Sequence, residues 1–564
     1  MIHVTQLSIR YYSRRRPAVH DVNLQVRDGE CVLLLGPSGC GKSTLALALN
    51  GLIPHSLEAE LSGSVVLDGL DTQQTPLAQL TQRAGLVLQD PEVQLVTLQV
   101  EDEIAFGLEN LCLPPATIDQ RIGEALAAVH LSHLRHTPVW ALSGGQKQRV
   151  ALASLLAMRP RTLIFDEPTA HLDPRGAHMV FEQIAELRRL GQHTLILIEH
   201  RLDALMDLVD RVVVLDADGR PLLDGCPCKV FDHTNAPHLH RLGVWMPQVS
   251  LLAHRLGLRP VPFTLARARQ LLAEQRPKLA QGASVARTAN AAPHGPLVVR
   301  VQGLSCAYGS HVVLRDIHLD VQAGECLAIV GANGAGKTTL AKHIAGIATP
   351  PPGQVFVCGL DVAQTPAKQL MRHVGFVFQN PEHQFVTSSV ADELRYSLRH
   401  AQHPPAHVEA QVQTLLARFK LERYANVNPF TLSHGEKRRL SVAAILATAR
   451  DVLVLDEPTF GQDQQTGYEI MQMLRDLQRE GCTIIFTTHD MTLVAEYADR
   501  VAVLQGGRLV FHDAPRELFQ QGELLHRANL DMPPLRQLAD ALGVGATTLE
   551  DWVQLLQPTE IAAV

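Results

Sequence analysis

The tightest constraint on this chain is a loop that it contains twice. Gly36-Pro37-Ser38-Gly39-Cys40-Gly41-Lys42-Ser43 and Gly331-Ala332-Asn333-Gly334-Ala335-Gly336-Lys337-Thr338 both fit G-x-x-x-x-G-K-[ST]. Each follows an apolar run (31–35; 326–330) and opens a helix-like stretch. That order is the setting a phosphate cradle requires. The glycines (Gly36, Gly39 and Gly41; Gly331, Gly334 and Gly336) let successive backbone N–H groups wrap an anion, with a helix N-terminus behind them. Lys42 and Lys337 reach β and γ phosphates, and the hydroxyls of Ser43 and Thr338 can ligate Mg²⁺. Thr44 and Thr339, next in line, complete the expected nucleotide contacts. One such loop alone could be a plain glycine turn; two in the same setting favour nucleoside triphosphate.

Composition narrows the class. A chain of 564 residues exceeds one core and predicts roughly three to four domains of ordinary size. Apolar content of 46% with 4% aromatic residues describes a soluble, aliphatic helix-and-sheet protein. A net charge of −7 and a pI near 6.4 argue against a nucleic-acid partner, which calls for a basic face. The nine cysteines are scattered, in the manner of a reducing cytosol rather than a disulfide framework. No stretch approaches the roughly 18–20 apolar residues that span a bilayer, and the N-terminus lacks the features of a secretion signal. Work at a membrane would require docking on a spanning partner.

The duplication extends far beyond the loops. Lys337 follows Lys42 by 295 residues; Gln379, Ser433 and Asp456 follow Gln89, Ser143 and Asp166 by 290; His489 follows His200 by 289. The first copy therefore carries five extra residues near 53–61. Domain one is expected over 1–219 and domain two over 297–508. A matching pattern around Trp245-Met246-Pro247 and Asp531-Met532-Pro533 gives each copy a small helical tail, 220–274 and 509–564. Residues 275–296, rich in Ala, Gln, Gly, Ser and Pro without an apolar period, read as a flexible tether.

The remaining motifs follow in the same order in both copies. Tyr11 and Tyr308 precede the loops at matching places; an aromatic there can stack on adenine or close a strand end in the core, and the match favours stacking. The runs ending in Asp166-Glu167 and Asp456-Glu457 read as buried strands. Their first acid can hold Mg²⁺, and their second can orient or deprotonate an attacking water. Ser143-Gly144-Gly145 places a serine and glycines at a helix N-terminus, another anion site or else a simple cap. His200 and His489 each follow a further strand and close the series.

In that order these motifs resemble the nucleotide-binding domain of ABC ATPases, twice over nearly the whole chain. The fold implied is α/β: two P-loop ABC-type nucleotide-binding domains, each with a helical subdomain and a small helical C-terminal tail. In that family two domains pair head to tail, so the resemblance implies an ATP held by Tyr11, Lys42, Ser43, Gln89, Asp166, Glu167 and His200 and closed by Ser433 and Gly435. The second is held by Tyr308, Lys337, Thr338, Gln379, Asp456, Glu457 and His489 and closed by Ser143 and Gly145. Glu167 and Glu457, with His200 and His489, are the implied catalytic groups. Mg²⁺ falls to Ser43, Gln89 and Asp166, and to Thr338, Gln379 and Asp456. The second signature departs from the pattern, with His434 in place of glycine, which implies a slower site at Lys42.

A narrower resemblance follows the glutamines. Gln89-Asp90-Pro91-Glu92 through Gly107, and Gln379-Asn380-Pro381-Glu382 through Leu394, are similar to energy-coupling-factor importer ATPases. There this segment receives coupling helices of a transmembrane scaffold subunit, which works with a substrate-binding membrane subunit. The fused tandem form resembles those of thiamine-precursor and related vitamin importers more than the single-domain cobalt type. It implies a peripheral protein on the cytoplasmic face of the membrane. Three other readings weigh less. A ribosome-acting tandem ATPase needs basic surfaces for RNA; a chromosome-type ATPase needs long heptads or zinc modules. Metal ligation by Cys226, Cys228, His233, His238 and His240 conflicts with the repeat, which aligns 229–231 with an ordinary helix at 517–519.

Overall fold

The computed structural model describes residues 1–12, 16–170, 172–274, 295–309, 311–400, 404–447 and 451–556, with backbone alone at His311, His400, Pro405, Ala406 and His434. Most of the expected tether, residue His171 and the side chain of His434 lie outside the described residues. The chain divides into two compact units, Met1–Glu274 and Gln275–Val564.

Unit one opens with β1 (Ile2–Tyr11) and β2 (Val19–Val26), which pair antiparallel, and continues through β3 (Cys31–Leu35), β4 (Ala59–Leu67), β5 (Leu70–Asp71) and β6 (Ala84–Val87). After a helical region come β7 (Thr162–Asp166), β8 (Thr194–Ile198), β9 (Arg211–Leu215) and β10 (Pro221–Gly225). They form a four-stranded sheet, β2-β1-β4-β5, and a six-stranded sheet, β10-β9-β3-β8-β7-β6. Within the larger sheet β6, β7, β8, β3 and β9 run parallel, and only β10 turns back. Parallel strands covered on both faces read as continuous apolar runs, and β3, β7 and β8 are buried along their whole length. Each fully buried Leu, Ile or Phe in them contributes on the order of 1.5–3 kcal/mol.

Unit two repeats the plan. Its strands are β11 (Leu297–Tyr308), β12 (His311–Gln322), β13 (Cys326–Val330), β14 (Val355–Val357), β15 (Leu360–Asp361), β16 (Val374–Val377), β17 (Val452–Asp456), β18 (Thr483–Thr488), β19 (Arg500–Gln505) and β20 (Arg508–Asp513). The sheet orders, β12-β11-β14-β15 and β16-β17-β18-β13-β19-β20, match those of unit one. In both units the phosphate loop and the Asp-Glu pair fall at the C-terminal ends of parallel strands, where ligands of open α/β sheets bind.

Two differences have plain causes. The last strand of each large sheet lies at the edge of the stretches expected to be tail, because the turns at Asp216–Gly219 and Gly506-Gly507 make hairpins rather than ends. Beyond them, among the described residues, each copy adds four helices: Pro227–Val230, Ala236–Leu242, Gln248–Leu256 and Leu265–Ala273, then Pro515–Leu518, Gly522–Arg527, Pro534–Leu542 and Leu549–Leu556. The first two helices of each set join the main cores, through Val230 and Leu239 and through Leu518 and Leu525. The insertion in copy one extends β4, which pairs with β1 from Ile2↔Leu67 to Tyr11↔Ala59, whereas β14 pairs with β11 over Val299–Val301 only. No helix among the described residues is long and apolar enough to cross a membrane.

Candidate nucleotide sites

Each phosphate loop leaves its strand and enters a helix directly, Lys42–Leu49 or Lys337–Ile344. The residue before each helix must be glycine. Gly41 and Gly336 both stand at φ 102°, and a Cβ on Gly41 would lie 2.1 Å from the carbonyl oxygen of Ala18. The lysines are buried and point back into the cradle. Lys42 Nζ donates to the carbonyls of Gly36 (2.9 Å) and Pro37 (3.1 Å), and Lys337 Nζ to those of Gly331 (2.8 Å) and Ala332 (3.0 Å). Cys40 is buried behind the loop, and burial pushes its thiol up, against the pull of Lys42.

At the loop's rim the two copies diverge. In unit two Thr338 Oγ1 donates to Asp456 at 3.0 Å, and Thr487 Oγ1 donates to Asp456 Oδ1 at 2.6 Å. Ser43 likewise bonds Asp166, but the strand neighbour is Ile198. Asp166 Oδ1 is therefore buried without a hydrogen-bond partner. Burial raises the Asp166 carboxyl to about 6, with the adjacent Glu167 adding to the rise and Ser43 opposing it. An unmatched buried carboxylate oxygen beside a hydroxyl is a donor set that fits Mg²⁺.

Glu167 and Glu457 both adopt φ 47°, a left-handed conformation costly for a residue with a side chain and held at functional positions. The backbone N–H of Glu167 donates to the carbonyl of Ile198 at 2.8 Å. Its carboxylate is gripped on both sides: Gln89 Nε2 donates to Oε2 at 3.0 Å, and His200 Nε2 lies 2.9 Å from Oε1. In unit two His489 Nδ1 lies 3.0 Å from Glu457 Oε1. Gln89, Glu167 and His200 thus meet around one point, in reach of a water activated for in-line attack. Gln379 is exposed at the equivalent place after β16.

The signature serines serve as helix caps in both copies. Ser143 caps the helix Gly144–Met158 and Ser433 the helix His434–Leu446, each in a reciprocal capping box with Gln146 or Glu436. The cap and anion readings coexist, since Ser143 and Gly144 remain exposed at that N-terminus and Gly145 and Gly435 are half-buried behind them. Tyr11 packs partly against the core, with its hydroxyl 3.2 Å from Thr44 Oγ1, while Tyr308 is 60% exposed. The longer β1–β4 pairing in copy one, which seats Tyr11 opposite Ala59, accounts for the difference.

Two contributors carry no motif. Arg438, fully buried on the signature helix, donates to the carbonyls of Phe378, Gln379 (2.6 Å) and Glu457 (3.2 Å), and burial lowers its guanidinium to about 10. Its counterpart Gln148 reaches only the carbonyl of Leu88, at 3.1 Å. Glu199, also buried, accepts from the backbone of Thr169 (3.2 Å) and His200 (2.7 Å), where unit two has Thr488. The offset of the repeat aligns these positions, but only the fold reveals their partners. Seven cysteines are free, but against the expectation of scattered thiols Cys226 and Cys228 are joined by a disulfide, their closeness in the chain bringing the sulfurs together across a single proline. His233 and His238 are engaged by Leu258 and Arg241 respectively.

A phosphate cradle with a clamped carboxylate at its rim is the equipment of a nucleoside triphosphatase, and each unit carries one on a P-loop sheet. The chain belongs to the ABC transporter family, whose profile matches residues 19–170 and 314–460. It is an ATP-binding and ATP-hydrolysing protein built of two ABC ATPase domains. It is 42% identical over 541 residues, 95% of either chain, to a Bacillus subtilis (strain 168) protein named "Putative HMP/thiamine import ATP-binding protein". It is 40% identical to a "Putative ABC transporter ATP-binding protein" of Methanosarcina mazei, over 93% of this chain and 90% of that one. Among solved structures, cbiO1 of Clostridium perfringens, part of the ABC transporter complex cbiONQ, is 31% identical over 43% of this chain and 99% of its own, with a TM-score of 0.38.

Proposed function

We propose that this chain is the ATPase of an energy-coupling-factor importer for a vitamin, its precursor or another micronutrient. One observation carries the reading: large apolar side chains stand exposed along the segment after the first Gln, and at Trp140 before the signature. Val93, Val96, Leu98 and Trp140 are 66–77% exposed and Phe106 is 49% exposed. Soluble surfaces seldom gather large apolar side chains in this way without a partner. The exposure is built in. Buried Glu103 accepts from the backbone N–H groups of Val96 (2.9 Å) and Thr97 (2.8 Å), fixing the loop with its side chains outward. Glu393 does the same for Val386 (3.1 Å) and Thr387 (3.0 Å), and Val386 is 65% exposed. Such faces suit the coupling helices of a membrane scaffold. The name of the Bacillus subtilis relative supports import of HMP or thiamine as the family of cargo.

In this reading the residues bind, orient and move protons as follows. The loop N–H groups with Lys42 or Lys337 hold the β and γ phosphates, and Thr44 and Thr339 extend the cradle. Ser43, Gln89 and Asp166, and Thr338, Gln379 and Asp456, would hold Mg²⁺, which supplies charge neutralisation on the phosphates when bound. Glu167 and Glu457 orient the attacking water and accept its proton, and His200 and His489 steady those carboxylates. Tyr11 and Tyr308 contact the base. Ser143 and Gly145, and Ser433 and Gly435, serve as further nucleotide contacts, as the family resemblance implies.

Affinity purification from membranes tests the transport reading. The expected result is a polytopic partner that is lost in the Val96→Asp, Val386→Asp double variant while ATPase activity is kept. Recovery of ribosomes instead would contradict it.

A further inference from the structure

The turn after β14 and the starts of β16 and β17 bring three side chains together in unit two, at the strand ends opposite the nucleotide motifs. Cys358 occupies a left-handed position (φ 50°) between β14 and β15, with its backbone N–H held by the carbonyl of Val298 at 2.7 Å. His373 directly precedes β16 and Asp451 directly precedes β17. The His373 carbonyl accepts from the N–H of Asp451 (3.0 Å) and of Val452 (2.9 Å), so the two residues are held side by side. Their side chains converge. His373 Nδ1 lies 2.7 Å and Cys358 Sγ 3.8 Å from Asp451 Oδ2, and one ligand atom from each of the three lies within 4.8 Å of the others.

These separations suit a small tetrahedral ion. With metal–sulfur bonds of about 2.3 Å and metal–nitrogen or –oxygen bonds of about 2.0–2.1 Å, neighbouring ligand atoms stand roughly 3.3–3.6 Å apart. To reach that spacing the His373–Asp451 pair opens by roughly 0.6 Å, the Cys358–Asp451 pair closes by a few tenths of an ångström, and the widest separation in the set closes by at most about 1.2 Å.

The repeat supplies an internal control. The same three backbone places in unit one are Asp68 (φ 49°), Arg83 and Arg161, with the same kind of ladder: Asp68 N–H to the Met1 carbonyl (2.9 Å) and Thr162 N–H to the Arg83 carbonyl (2.9 Å). The fold therefore stands on a set that cannot ligate a metal through two of its three positions. In unit two all three are ligand types, and they meet at one point. An ion pair of His373 with Asp451 alone gives no reason for a thiol at the third corner.

We propose that Cys358, His373 and Asp451 form a binding site for a borderline-soft divalent cation of the Zn²⁺ type, with water in the fourth position. Binding replaces the Cys358 S–H bond with a sulfur–metal bond and releases the proton to solvent. The ion ties the end of the four-stranded sheet to the starts of two parallel strands.

Co²⁺ and Zn²⁺ titration of the full chain, stripped with chelator, tests this. The expected result is about one Co²⁺ per chain with thiolate-to-metal charge-transfer absorption, displaced by Zn²⁺. The band disappears in Cys358→Ser and in Cys358→Asp, which gives the turn the residue type its repeat partner has and so preserves the fold. In His373→Ala the affinity falls at least ~10-fold, since one of three protein ligands is gone. The band survives in Cys226→Ser, Cys228→Ser and in Asp166→Asn, Asp456→Asn. Absence of the band in the parent chain, its persistence without Cys358, or its loss with Cys226 and Cys228 each overturns the proposal.

Discussion

At the scale of single residues, the two copies hold one carboxylate in two environments. Asp456 has a threonine hydroxyl on each side, whereas Asp166 faces Ile198 and keeps one buried oxygen unmatched. Its raised carboxyl, about 6 against an ordinary 3.8, has two consequences of opposite sign. The folded state holds the proton more tightly, so this group's contribution to stability is complete below about 4 and is lost as pH rises through about 6. Metal and nucleotide need the ionised form, so binding at the Lys42 loop strengthens over the same interval. In a Glu457→Gln chain, where turnover rests on Glu167, activity at sub-saturating Mg²⁺ should fall toward the acid side and recover as Mg²⁺ is raised, since the cation competes with the proton for Asp166; an acid limb that Mg²⁺ leaves unmoved would exclude the assignment. Cys40 gives a second expectation. Buried and with its thiol raised, it should resist charged thiol reagents while exposed Cys112 reacts, as mass spectrometry of the labelled chain would show.

At the scale of elements, the signature helices are the informative parts. Arg438 ties its helix to the Gln379 loop and to the carbonyl of Glu457, so that one side chain links three functional segments of unit two. Arg438→Ala leaves three carbonyls without their donor and should cost about 3 kcal/mol in denaturant unfolding. Arg438→Gln, which matches Gln148, should cost less than half of that. An equal loss in both would mean that the guanidinium is not the clamp. Ser143→Ala removes one cap and should cost about 1 kcal/mol. Much of this architecture was legible beforehand. The apolar runs that end in Asp166-Glu167 and Asp456-Glu457 are strands, and the phosphate loops enter helices where the pattern requires. What pattern reading missed depends on contacts across the sheet. Ile198 and Thr487 are both unremarkable strand residues until the neighbouring strand sets an aspartate beside them. The turn at Asp216–Gly219 looks like a domain end, and only pairing with β9 makes Pro221–Gly225 a strand. The five-residue insertion was visible, but its effect on Tyr11 arises through the longer β1–β4 ladder.

At the scale of the whole molecule, the chain is one ATPase domain written twice and then allowed to drift. The sheet orders coincide, the loops coincide, and the glutamates share a left-handed backbone, while the shells around them differ at Ile198, Glu199 and Gln148. Such drift lets two sites share a chemistry and differ in rate or in metal affinity. The apolar faces fixed by Glu103 and Glu393 are where this chemistry would be passed to a membrane partner. Everything in that account rests on Glu167 and Glu457 acting as the bases of hydrolysis. The direct measurement is phosphate release from the Glu167→Gln, Glu457→Gln double variant, with ATP binding followed in the same sample. Binding should be retained and release should fall at least ~100-fold, as expected when a general base is removed. Release at the parent rate, with ATP bound, would contradict the account.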